Sequence, residues 1–470
     1  MGAEATRKCI DKCGITSMQY SINRRDMLQR AGLGCGMLAL NSLMAESASS
    51  VKAPHFHATA KNVIWLFMHG GPSQMDTFDP KPLLKELHGQ TAPASFHDIQ
   101  TSFTDVKKQK LLGSQFTFSK CGESGTEISD GFKYMQNHAD DIAVIRSLYH
   151  EDFNHNPALW VMNSGHARAG RPSMGSWLSY GLGCEANNLP GFIVMSDGAM
   201  KAGGGVWGSA FLPASHQGTR LNMSGPPIAN LKQSMESEKQ LKMLKYMKQL
   251  DSAANAELEA RIKSYELAFR MQMAAPGALD IKTESKATRD LYGDNRFSKQ
   301  CLMARRLIER GVRMVQIYNG CSAGDEWDTH HGNFARHKKL IHNVDQGCAA
   351  LLADLKSRGM LEDTLVIWSG EFGRTPTTEK SDGRDHNPNG FCGWMAGGGV
   401  KGGQVIGATD EIGFRAVEDK VHVHDFHSTI LRLMGLDHEA LSVRHNGLDM
   451  RLTDLHGYYD IYEKLTGMEA

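Results

Sequence analysis

Val63-Ile64-Trp65-Leu66-Phe67-Met68 is an unbroken apolar run that stops at His69-Gly70-Gly71-Pro72. A strand buried on one face alternates apolar with polar side chains. A run that is apolar at every position needs cover on both faces, as a central parallel strand has. This stretch therefore predicts a parallel sheet with helices on both sides, and Gly-Gly-Pro predicts a loop at the strand's carboxyl end. Similar short runs recur at Ile142 to Ile145, Phe192 to Met195, Val312 to Tyr318 and Thr364 to Trp368, with helix-compatible sequence between them. The alternation predicts a doubly wound α/β sheet, in which ligands sit beyond the carboxyl ends of the strands.

From Asn230 to Ala274 the chain is rich in Lys, Glu, Gln, Met, Leu and Ala and free of proline and glycine, which predicts a helical insertion over about 228–310. A second helix is expected from Asn333 to Arg358, closing at Gly359. The glycines from Gly397 to Gly403 lack dinucleotide or phosphate-loop spacing and predict turns.

At the amino end, Arg24-Arg25 precedes an apolar Gly/Ala/Leu stretch from Ala31 to Ala45 and then Glu-Ser-Ala-Ser-Ser. That order is the architecture of a twin-arginine signal peptide over residues 1–50, followed by one domain over 51–470. It implies a translocase partner during export and a periplasmic or extracellular destination. No later stretch reaches the roughly 18 apolar residues of a membrane helix, so no stable span is expected in the mature protein. With 52 basic and 52 acidic side chains the formal charge is zero, which gives no field to attract nucleic acid. Cys121, Cys184, Cys301, Cys321, Cys348 and Cys392 follow the leader; no C-x-x-C pair exists to make a zinc-thiolate site.

The 21 histidines are the informative excess, because imidazole is the commonest metal ligand. Four loops concentrate them with carboxylates: His69 with Asp76 and Asp79; His155; Asp328 with His330 and His331; and Glu371 followed by Asp385 and His386. Divalent ions need oxygen and imidazole ligands converging from different loops, which strand-end loops of one sheet can supply. The expected cofactor is zinc or manganese, one or two ions. Arg374, Arg384 and Arg171 are the arginines that could hold an anionic group in a guanidinium fork.

His69-Gly70-Gly71-Pro72-Ser73-Gln74-Met75-Asp76-Thr77-Phe78-Asp79-Pro80-Lys81-Pro82, Trp327-Asp328-Thr329-His330, Glu371-Phe372-Gly373-Arg374-Thr375-Pro376 and Gly383-Arg384-Asp385-His386 together resemble domain of unknown function family 1501. That family is grouped with the alkaline phosphatase and sulfatase superfamily. The resemblance implies an α/β/α sandwich around a mostly parallel sheet, a metal site, and an ester of phosphate or sulfate on a small molecule or glycan as substrate. In the superfamily's order of ligands, Asp76 or His69 stands first, Asp328 with His330 or His331 third, Glu371 fourth and His386 last. Two departures put a second metal in doubt: His69 stands where relatives end the first strand with aspartate, and Glu371-Phe372 where they have Asp-His.

The nucleophile departs further. Counting back ten residues from Gly165, where relatives place Ser, Thr or a modified Cys, lands on His155, and Asn154-His155-Asn156-Pro157 has no hydroxyl or thiol. No C-x-P-x-R or S-x-P-x-R run occurs either. A histidine there can be a ligand, a general base for metal-activated water, or a transient phosphoryl acceptor. Two functions stay open: a metal-dependent ester hydrolase, and a non-catalytic exported protein of the same fold that binds a glycan or a partner protein.

Overall fold

In the computed structural model the described residues are 52–222, 275–321 and 326–469, with a few isolated positions between 239 and 271. The expected leader and nearly all of the helical stretch 230–274 lie outside the described residues. The elements that position the site are, in chain order, β1 (Asn62–Met68), β2 (Ala143–Tyr149), α1 (His155–Ser164), α2 (Met174–Leu182), β3 (Phe192–Ser196), β4 (Thr219–Leu221), α3 (Arg296–Ile308), β5 (Met314–Asn319), α4 (Asn333–Ser357), β6 (Thr364–Gly370), β7 (Gly373–Glu379), β8 (Gly383–Asn387), β9 (Phe391–Ala396), β10 (Gln404–Ile406), β11 (Val421–His422) and α5 (Val423–Leu433).

Among the described residues nine strands form the main sheet, in the order β10-β2-β9-β6-β1-β5-β3-β4, with β11 beside β2. β9 runs antiparallel to both neighbours; every other pairing is parallel. Residues 63–68 are fully buried, as a strand covered on both faces requires. Ile64, Leu66 and Met68 share a core with Cys301, Leu302 and Leu307 of α3 and Leu340, Val344 and Leu351 of α4. Val63, Trp65 and Phe67 share the opposite core with Leu159 of α1, Trp177 of α2 and Phe426 and Ile430 of α5. The period-two alternation of one strand therefore divides its side chains between two helical layers, giving the α/β/α sandwich. Trp65→Ala would remove a fully buried side chain and cost about 3–5 kcal/mol.

Register sets the position of the site. Met68 of β1 lies opposite Asn319 of β5 on one side and Gly370 of β6 on the other. The three central strands thus end level, and the loops that begin at His69, Gly320 and Glu371 leave from one line. The described carboxyl end of the expected insertion, Arg296–Ile308, is α3 and belongs to a layer of the sandwich. The expected helix at Asn333 ends at Ser357, with Arg358 as its cap and Gly359 at φ +68°. No helix of the described residues is long and apolar enough to cross a membrane. All six described cysteines are buried and unpaired.

Candidate metal centre

The loop after β1 is held close to the one after β5. Gly70 has φ +116°, and a Cβ there would stand 2.5 Å from the backbone nitrogen of Asp328, so only glycine fits. Its own N–H donates to both carboxylate oxygens of Glu371, at 2.9 and 3.0 Å. Glu371 is the first residue after β6, and His155 is the first of α1. His386 lies on β8, in the hairpin β7–β8 that stands outside the main sheet.

Three imidazoles in this neighbourhood have their Nδ1 fixed by an acceptor. His155 Nδ1 is 2.7 Å from Glu371 Oε1, His386 Nδ1 is 2.7 Å from the Phe153 carbonyl, and His330 Nδ1 bonds the Glu379 carboxylate. A carbonyl or carboxylate cannot donate, so each Nδ1 carries a proton and each Nε2 is left to meet what lies in front of the ring. Those nitrogens face one another and Asp328. His330 Nε2 is 3.0 Å from His386 Nε2 and 2.9 Å from Asp328 Oδ1. His386 Nε2 is 3.4 Å from Asp328 Oδ1, and His155 Nε2 is 3.0 Å from Asp328 Oδ2, at an angle too poor for a hydrogen bond. Atoms of this kind at such distances share either protons or a metal cation between them. The donors of His155, Asp328, His330 and His386 all fall within 4.8 Å of one another. The donor set, mixed imidazole and carboxylate with every imidazole oriented from behind, fits a divalent metal.

Burial opposes the Asp328 charge, but His155, His330, His386 and Arg374 outweigh it and hold the carboxyl far below its usual range. Burial likewise opposes Glu371, yet His155, His69 and the Gly70 N–H bring it down to about 2. Burial pulls His155 down, whereas Asp328 and Glu371 together raise it. His386 is drawn down to about 4, chiefly by burial, and His69 is lowered for the same reason. Two cations touch Asp328: Arg374 Nη2 at 2.8 Å from Oδ1, and Lys201 Nζ at 2.8 Å from Oδ2.

The other residues singled out by sequence are distributed around this group. His69 places Nδ1 3.2 Å from the Gly320 carbonyl, stacks its ring on His155, and has a buried Nε2 without a partner. Asp385 Oδ2 accepts from Phe103 N, Thr104 N and Thr104 Oγ1 at 2.7, 3.0 and 3.0 Å, and Asp385 also falls in a second donor group with His330 and Glu379. Glu371 touches His155 through its carboxylate and is not among the four converging donors. His331 is exposed and outside both groups. Asp76 and Arg384 pair with each other at 3.0 Å, fully buried, and Arg384 also donates to the carbonyls of Thr375 and Leu112. Arg374 is fully buried, with donors given to the Gly71 and Arg384 carbonyls as well as to Asp328, while Arg171 reaches Asp454 at 3.4 Å. The fork expected of Arg374 and Arg384 is therefore spent inside the protein. Asp79 pairs with Lys81 at 3.0 Å. Lys201 and Glu379 were not anticipated, for neither stands beside a histidine in the sequence.

The sequence profile of the family described as "Protein of unknown function (DUF1501)" matches residues 60–460. The chain belongs to this family. No curated protein matches this DUF1501 member. Among solved structures it is similar to the lipoteichoic acid synthase LtaP from Listeria monocytogenes, at 9% identity over 89% of this chain and 80% of that one, with a TM-score of 0.35. It is also similar to the PsFucS1 sulfatase from Pseudoalteromonas sp., at 14% identity over 88% and 72%, TM-score 0.35. An alkaline phosphatase from the Antarctic bacterium TAB5 has 12% identity over 80% and 98%, TM-score 0.33. Membership of DUF1501 rests on the profile match, and the sandwich on the sheet order and its two cores.

Proposed function

We propose that this DUF1501 protein is an exported, metal-dependent hydrolase of phosphate or sulfate esters. The observation that carries the reading is the convergence of three Nε2 atoms on Asp328, each imidazole fixed through Nδ1 by an acceptor behind it. His155, His330, His386 and Asp328 would hold one divalent ion, with zinc favoured over manganese by three imidazoles and a single carboxylate. Glu371 and Glu379 act as orienting carboxylates, fixing tautomer and ring direction. A bound ion would supply a Lewis acid for the ester and acidify a water molecule that attacks it. On this reading His155 is a ligand and no covalent intermediate forms. Lys201, about a third exposed and already beside Asp328, is the cation placed to bind the anionic group, since Arg374 and Arg384 are enclosed. The Arg24-Arg25 leader would carry the folded protein through the twin-arginine translocase to the periplasm or beyond.

The test is metal analysis of the mature protein purified without chelator, followed by a panel of phosphate and sulfate esters. About one equivalent of zinc or manganese is expected, with turnover that Asp328→Ala abolishes together with the metal. Less than about a tenth of an equivalent, with no effect of chelator on the melting temperature, overturns the metal reading. The second reading, a binding protein that has kept the fold and the ion, is favoured by the lack of any hydroxyl or thiol in Asn154-His155-Asn156-Pro157. It requires a metal-loaded protein inert on every ester, with wild type and His155→Ala alike.

A further inference from the structure

Phe103 is the most exposed phenylalanine among the described residues, at 64%. Exposing an aromatic ring forgoes burial worth roughly 1.5–3 kcal/mol. Here the backbone beneath it is held firmly. Asp385, itself fully buried, accepts from Phe103 N at 2.7 Å and from Thr104 N and Oγ1 at 3.0 Å. Ser102 Oγ donates to the Phe153 carbonyl and to Asn154 Oδ1, both at 3.4 Å, which ties the same loop to the segment that carries His155. The ring is thereby set edge-to-face against His330 and His386, with centroids 5.5 Å from each. A flexible surface phenylalanine has no such anchorage. This one is fixed at the mouth of the site, in contact with two of the four converging donors, with most of its surface turned to solvent.

We infer that Phe103 is a substrate-binding platform, and that the ester served by this site carries a ring with a flat apolar face next to its anionic group. The inference rests on the ester reading above and narrows it. An anion beside Asp328 and Lys201 brings the group bonded to it towards His330 and His386, where the phenylalanine waits. Aromatic rings attract either another aromatic face or the C–H face of a pyranose, and both present the same flat apolar surface. Asp385 is on this view a positioning residue: its carboxylate holds the loop and does not meet the substrate.

The experiment measures dissociation constants of the zinc-loaded protein for inorganic phosphate, phenyl phosphate and glucose 1-phosphate, with the sulfate counterparts in parallel. Wild type is expected to prefer at least one ring ester to the inorganic anion. Phe103→Ala should weaken that ester by about three- to tenfold and leave the inorganic anion and the zinc content unchanged. Phe103→Tyr keeps the face and should keep the preference, which controls for damage to the loop. Loss with phenyl phosphate alone identifies an aromatic ester, and loss with glucose 1-phosphate alone a sugar ester. Equal weakening of ring esters and inorganic anion, or no weakening of either, overturns the platform while sparing the ester reading. A zinc-loaded wild type that binds none of these anions overturns both.

Discussion

Asp328 and Asp76 are each reached by an arginine of the same hairpin, Arg374 at 2.8 Å and Arg384 at 3.0 Å, yet their surroundings are opposite in kind. Around Asp76 every neighbour brings a hydrogen: Ser73 and Ser114 Oγ at 2.6 Å, Asn333 Nδ2 at 2.9 Å and the Arg384 guanidinium. The carboxylate is fully buried and saturated, and its pKa is lowered because Arg384 and the two hydroxyls outweigh burial. Around Asp328, the Arg374 guanidinium and the Lys201 ammonium are joined by three ring nitrogens of ligand type. A buried carboxylate saturated by such donors is finished as a piece of structure, whereas the half-buried Asp328 shares its oxygens between two cations and three ring nitrogens of ligand type. The two aspartates carry equal weight in a count of nearby charges, and what separates them is the group of imidazole nitrogens that only Asp328 meets.

The largest effect that sharpens this contrast is expected at Asp76. Asp76→Ala strands a buried guanidinium and should destabilise the fold by about 3–5 kcal/mol, read as a lower urea midpoint. The folded fraction should still bind metal fully. Loss of metal with little loss of stability would reverse the two roles. Next comes Glu371→Gln. Glutamine can still accept from His155 Nδ1, but it must turn an amide donor or lose an oxygen at the Gly70 N–H, so ring orientation loosens. Metal affinity should fall about 10- to 100-fold by competition titration. An unchanged affinity would remove Glu371 as an orienting group.

A third effect is set by pH and belongs to the saturated region. His337 is fully buried, accepts from Ser73 N at 2.9 Å and has its Nδ1 3.0 Å from the Asn333 carbonyl, so its ring is neutral and its pKa is pushed down to about 4 by burial. In the unfolded chain it titrates near 6.5. The unfolded state therefore binds the proton first. The stability His337 contributes is complete above about pH 6.5 and is lost between there and pH 4, at up to about 1.4 kcal/mol per pH unit. Chelated wild type, melted across that window against His337→Gln, should show the steeper acid slope. Parallel slopes would mean the ring is charged in the fold.

How far the sequence carries can be argued from the same residues. β1, β5 and β6 are legible because strands covered on both faces are mostly apolar, β1 from Val63 to Met68 without interruption, and their level ends follow from parallel pairing. The hairpin β7–β8 was not legible as strands. Its Gly, Pro, Arg and Asp disfavour sheet, and tertiary contacts through Arg374 and Arg384 override that propensity. His155, Asp328, His330 and His386 are each of ligand type, but their convergence from three separate segments is a product of register. Glu371 and Asp385 are of ligand type too. Spacing cannot tell whether a carboxylate faces an ion, an imidazole or a backbone N–H; here Glu371 meets His155 and the Gly70 N–H, and Asp385 meets the Phe103 N–H while also falling in the donor group of His330 and Glu379. Lys201, in Met200-Lys201-Ala202-Gly203, stands in no motif and is brought to Asp328 only by the fold.

Lys201 also gives the smallest expected change in stability, and one that divides the two aspartates cleanly. Its ammonium is 2.8 Å from Asp328 Oδ2 with the side chain 31% exposed, so solvent screens the pair and Lys201→Ala should move stability by less than about 1 kcal/mol. The consequences for ligands have opposite signs. An ion on Asp328 competes with the ammonium, so removing the lysine should leave zinc affinity unchanged or slightly higher. The ammonium displaced from Asp328 is what the anion meets, so phosphate affinity of the zinc-loaded protein should fall about tenfold, the size of a charge-assisted hydrogen bond. Arg384 at Asp76 allows no such separation, because its guanidinium cannot be removed without unfolding the region it neutralises. A Lys201→Ala protein that binds phosphate as wild type does would take the lysine out of the site, and one that loses several kcal/mol would make Asp328 a second Asp76.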